Sequence, residues 1–78
     1  MYLQLVIELL FAVSAAARRP EVGADAVARW TTLAGDILRS GQEIDTRLIE
    51  LKEQVERMVK ENRAPTPQEW ADLRRRSD

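Results

Sequence analysis

The chain contains no cysteine and no histidine. Without cysteine there is no disulfide, no thiolate metal site and no thiol nucleophile. Without histidine the commonest general base and the commonest nitrogen ligand for a metal are missing together. Glycine and proline are scarce, three of each, and runs of β-branched residues are few, a composition that favours helix over sheet. Neither sign of charge dominates. Twelve basic and 13 acidic residues are interspersed to a net −1, so no field draws the chain to nucleic acid. A phosphate-binding glycine loop, a dinucleotide fingerprint, zinc-ligand spacing and a nucleophile elbow are all absent. Glu50, Glu53, Glu56 and Glu61 alternate with lysine and arginine and read as a wetted face, not a metal site. The sequence therefore offers no catalytic, cofactor-binding or metal-ligating residue and points away from an enzyme.

What is present is one small helical domain spanning residues 1–78, near the lower size limit for a self-sufficient core. A chain of this length buries only roughly 60% of its unfolded surface. With no disulfide or metal to reinforce it, oligomerisation or docking on a larger protein partner is the remaining source of buried area.

The strongest contrast along the chain is between residues 1–17, almost wholly apolar, and the charged remainder. The spacing predicts an apolar helix over residues 2–18, ended by Pro20, with Arg18 and Arg19 suiting the negative end of its dipole. Gln4, Glu8, Ala12, Ala15 and Arg19 fall on one narrow polar-to-small strip. Leu3, Val6, Ile7, Leu10 and Phe11 are candidate packing residues. A secretory signal fits poorly, because the basic leader region is missing and Glu8 interrupts the apolar stretch. As a membrane span the segment reaches about 26 Å against a hydrocarbon core of about 30 Å. Its eight Leu, Ile, Val and Phe residues contribute roughly −2.4 to −4.8 kcal/mol to insertion, while a central acidic residue costs about +2.5 to +3.5. That balance leaves a membrane anchor open and favours burial against protein.

A second helix is predicted over residues 25–40, capped by Asp25, with an Asp25–Arg29 pair on its surface and Ser40-Gly41 as its stop. A third follows over residues 46–62, capped by Asp45, with Ile44 stapled to Ile49. Its apolar face is Leu48, Leu51, Val55, Met58 and Val59, and Glu53–Arg57 and Glu56–Lys60 pair on the wet side. From Val27 through Trp30, Ala34, Ile37, Gly41, Ile44, Leu48, Leu51, Val55 and Met58 to Asn62 the heptad register is unbroken, which a single long coiled-coil helix also satisfies. The coincidence of Gly41, the cap and the staple favours an αα-hairpin. Residues 63–66 form a proline-containing linker to a last helix over residues 67–76. Thr66-Pro67-Gln68-Glu69 is a capping box with proline at the first helical position. Trp70 in that short helix either folds back on the hairpin, alongside Trp30 as a packing residue, or anchors a partner. Arg74, Arg75 and Arg76 form the only basic run, flanked by Asp72 and Asp78.

Residues 41–70, from Gly41-Gln42-Glu43-Ile44-Asp45 through Val59-Lys60-Glu61 to Arg63-Ala64-Pro65-Thr66-Pro67-Gln68-Glu69-Trp70, resemble small helical proteins of unassigned function encoded by tailed bacteriophages and prophages. The resemblance implies a phage setting and transfers no functional residue. The expectation is an all-α, non-enzymatic structural, assembly or interaction protein, cytoplasmic or virion-associated, acting by helix–helix packing in a homo-oligomer or with another protein. The alternatives are a membrane-attached lysis accessory anchored by residues 1–17 and a small inhibitor of a host protein.

Overall fold

The computed structural model describes the backbone of residues 2–77 and the side chains of residues 3–73. Four helices follow one another: α1 (Tyr2–Ala17), α2 (Ala24–Ser40), α3 (Ile44–Glu61) and α4 (Pro67–Ser77), with no strand among the described residues. The all-α architecture is the one the sequence predicts, with an apolar first helix, a central hairpin and a short last helix. α3 is the central element, because α1, α2 and α4 each pack on it. Contacts from Glu8 to Lys52 and from Arg19 to Asn62 advance together along α1 and α3, so these two run parallel. Contacts from Ser40 to Arg47 and from Trp30 to Gln54 advance in opposite senses, so α2 is antiparallel to α3.

Gly41 ends α2. It takes the left-handed conformation at φ 69° and donates its N–H to the Ile37 carbonyl at 3.3 Å, a geometry that suits glycine because it has no Cβ. The Ser40 hydroxyl fastens the turn. It donates to the Ile37 carbonyl at 3.1 Å and accepts from the Gln42 amide at 3.3 Å and the Arg47 guanidinium at 2.9 Å. The continuous heptad register thus belongs to two facing helices and not to one long rod.

The caps differ from the sequence expectation. α2 begins behind Gly23 and α3 behind Glu43, neither with a side-chain cap. Asp25 and Asp45 therefore lie inside the first turns, where their charge still suits the positive end of the helix. The Ile44–Ile49 staple is also replaced. Ile44 is itself helical and packs on the core, while Ile49 is exposed. Core packing draws Ile44 into the helix, and the chain turns at Gly23 and Glu43, both at positive φ. Of the predicted surface pairs, Arg29 lies over Trp70 at 5.2 Å and Arg57 approaches Glu69 at 3.9 Å, while Glu56 pairs with Lys52 at 3.6 Å. Neighbouring helices and the preceding turn supply better partners than Asp25, Glu53 and Lys60.

Trp30 is 0% exposed and shares the core with Ile37 of α2, Leu48, Leu51, Val55 and Met58 of α3, Leu9 and Ala16 of α1 and Leu73 of α4. Its Nε1–H donates to Gln54 Oε1 at 2.7 Å, and Gln54 Nε2 donates onward to the Glu69 carbonyl at 3.2 Å. The capping box of α4 forms as predicted. The Glu69 amide donates to Thr66 Oγ1 at 3.2 Å and the Thr66 amide donates to Glu69 Oε1 at 2.8 Å. Arg63 adds a bidentate clasp on the same carboxylate at 2.7 and 2.8 Å. Trp70 folds back, its ring centroid 6.0 Å from that of Trp30 at a tilt of 44°.

Arg63 first, and then the Thr66 amide, hold the Glu69 carboxyl down to about 2 from its ordinary 4.5. A carboxylate depressed in the folded state stabilises above its unfolded pKa, and that contribution is lost as pH falls through the folded value. Docking of α4, read by tryptophan fluorescence, should therefore weaken progressively from about pH 4.5 towards pH 2. Glu69→Gln should dock more weakly at neutral pH and lose that part of the acid response. In the core, Gln54→Leu leaves the Trp30 N–H buried without an acceptor and should cost about 1–3 kcal/mol in urea unfolding.

Candidate protein-interaction surface

α1 has two apolar faces. Leu9 and Ala16 are buried, and Leu5, Val6, Ala12 and Val13 pack beside them on the core. Across the helix, Leu3 is 61% exposed, Ile7 42%, Leu10 59% and Phe11 73%. At 3.6 residues per turn these four occupy one arc of about 100°, with exposed Ser14 continuing it and no charged side chain inside it. An arc of this kind exposes apolar surface on the order of 500 Å², at the upper end of what a monomer usually leaves open.

The strip of Gln4, Glu8, Ala12, Ala15 and Arg19 is the seam between α1 and α3. Gln4 donates to Glu8 at 3.1 Å, Lys52 pairs with Glu8 at 3.3 Å, and Arg19 donates to Asn62 at 3.4 Å. Hydrogen bonds from Gln4 and then Lys52 hold the Glu8 carboxyl below its usual range, and Glu8 in turn raises Lys52. Beside those polar contacts lies a groove of about 580 Å³ lined by Phe11, Ala12, Ala15 and Val59 together with the charged Glu8, Lys52, Glu56 and Lys60. The open arc and the groove are therefore continuous.

Of the seven packing residues predicted from sequence, Leu3, Ile7, Leu10 and Phe11 come together on the open side of α1. Val6 faces inward, Trp30 is central, and Trp70 is half-buried against Trp30 beneath Arg29. Sequence reasoning missed Gln54, which lies between Glu53 and Val55 and reads there as a surface polar residue. It also missed Val59 and Lys52 as neighbours of α1, because no local signal announces the parallel packing of α1 on α3. The side chains of Arg74, Arg75 and Arg76 lie outside the described residues. Among the described residues no helix is long and apolar enough to cross a membrane, and no three acidic side chains converge on a point that holds a metal. The chain matches no protein-family model, and no curated protein or solved structure is significantly similar to it.

The two faces of α1 predict opposite responses to substitution. In dilute solution Leu10→Ser or Phe11→Ser should change the unfolding free energy by no more than about 0.5 kcal/mol. Leu9→Ala, one position from Leu10 but buried, should cost about 2–5 kcal/mol. Thermal or urea unfolding of the three variants side by side checks the assignment.

Proposed function

We propose that this protein is a non-enzymatic helical interaction module, working by helix–helix packing within an oligomer or larger complex, with the outer face of α1 as its docking surface. The observation that carries the reading is the grouping of Leu3, Ile7, Leu10 and Phe11 on one side of a helix whose other side is already satisfied by the core. An apolar arc of that size, bordered by a polar seam and continuous with a groove, has the form of a helix-docking site. The chain's own composition supports the non-enzymatic part, since it lacks both cysteine and histidine. The phage assembly setting, in the cytoplasm or the virion, is proposed from the sequence resemblance of residues 41–70 alone.

Site-specific photo-crosslinking tests this reading. A benzophenone side chain placed at Phe11 should give a protein adduct in the cells that make the protein natively, while the same group at exposed Thr31 on α2 should give none. A lipid adduct at Phe11 accompanied by co-flotation with vesicles would replace protein docking with membrane-surface attachment. Absence of any Phe11 adduct would remove the docking role from α1.

A further inference from the structure

We infer that the occupant of the open α1 face is a second copy of this chain, packed antiparallel so that Ile7 of each copy interdigitates with the partner's Leu10. The inference rests on the reading of α1 as a docking surface and adds to it the identity and direction of what docks.

Three observations lead there. The first is spacing. Leu3, Ile7, Leu10 and Ser14 are separated by four, three and four residues, the alternation of a coiled-coil seam. An antiparallel two-fold axis between positions 7 and 10 sets Ile7 on the partner's Leu10 and Leu10 on the partner's Ile7. It also sets Leu3 against the partner's Ser14. The face is thus complementary to itself under the commonest symmetry of soluble pairs. Phe11 flanks this seam and covers its groove side.

The second is charge. The arc carries no charged side chain, so two copies meet without opposing like charges. Direction follows from its end, where Arg18 continues the same side of the helix. Parallel pairing sets Arg18 beside the partner's Arg18 and aligns the two helix dipoles, both unfavourable. Antiparallel pairing separates the arginines and opposes the dipoles.

The third is area. Each copy contributes apolar surface on the order of 500 Å². With such surface forming about three-fifths of an interface, the pair buries about 1,600 Å² in total, the size of a standard stable complex. That area is sufficient for a stable dimer of an 8.9 kDa chain.

Sedimentation equilibrium from micromolar to millimolar concentration tests the pairing. The wild-type chain should approach twice its 8.9 kDa mass. Leu10→Glu should raise the dissociation constant roughly 100-fold or more by placing an unpaired charge in the seam, with unchanged helicity by circular dichroism. Ile7→Gln serves as a second variant should the first lose helicity. The chain's lack of cysteine allows a single nitroxide at Ala17→Cys. At 1.5 Å rise per residue and 8–10 Å between axes, the antiparallel dimer should give a spin–spin distance of about 25–30 Å, and a parallel one less than about 20 Å. A monomer up to millimolar concentration, a dimer indifferent to both substitutions, or the short distance would each overturn the inference. Failure here is distinguishable from failure of the docking reading. A wild-type monomer that still forms a photo-adduct of foreign mass at Phe11 removes the second copy and leaves the docking face.

Discussion

An indole N–H sealed in a dry core must have an acceptor, and Gln54 supplies it to Trp30 at 2.7 Å. Much of the fold's geometry depends on that pairing. Leaving the donor unpaired costs more than the bond itself contributes, so α2 and α3 are confined to the approach that brings the two side chains together. The carboxamide is then oriented, with its Nε2 aimed at the Glu69 carbonyl in the first turn of α4. α4 is therefore placed by the same residue that places α2, and its position lays Trp70 on Trp30 with Arg29 above. Three helices are mutually fixed through one side chain. The Arg63–Glu69 clasp and the capping box act on this arrangement from outside, fixing where α4 begins and leaving its angle to the core.

α1 is held differently. Among the described residues it has no buried polar contact of this kind, and its inner face meets α3 through Leu9, Ala12, Ala16 and their apolar neighbours. Apolar packing alone does not specify rotation about the helix axis when both sides of the helix are greasy. The seam does. Glu8 at Lys52 and Arg19 at Asn62 mark the two ends of one line along α3, and rotating α1 by half a turn would carry Glu8 to the opposite flank, away from Lys52, while bringing the open apolar arc onto the core. Partly exposed ion pairs contribute little to stability, so what the seam supplies is a preference between two otherwise apolar packings. These surface contacts thus select among packings more than they strengthen the chosen one.

The α4 start and the Gly41 turn were legible in the sequence, while the starts of α2 and α3 and most tertiary contacts were not. The α4 start is encoded in four consecutive residues, and Thr66-Pro67-Gln68-Glu69 folds as its chemistry dictates. The Gly41 turn was legible for the same reason. Asp25 and Asp45 misled because capping propensity is weak against the burial of Ala26 in α2 and the packing of Ile44 in α3, and each helix starts upstream of its aspartate. Gln54 was illegible because a glutamine flanked by Glu53 and Val55 looks wet, and only the approach of Trp30 from a different helix makes it dry. For α1 the four outward residues were all named from sequence, yet so was the inward Val6. Periodicity reports a face through contrast, and an almost uniformly apolar helix has little. The contrast that exists, from Gln4 to Arg19, marks the boundary between two apolar faces and not a wetted one.

That boundary explains why α1 is apolar almost all round although only one side of it is covered. A helix that merely caps a small bundle needs about three inward positions in seven, with polar residues elsewhere. α2 and α3 follow that rule, and α1 keeps Leu3, Ile7, Leu10 and Phe11 besides. Each of these is exposed in the single chain, so its core gives no reason for them. A helix docked through both faces gives one, and it also ties association to folding. Under that proposal, contact on the outer face would immobilise the rod whose inner face closes the core over α3. Under the proposed docking, a chain without cysteine or histidine to staple itself would gain buried area in that way.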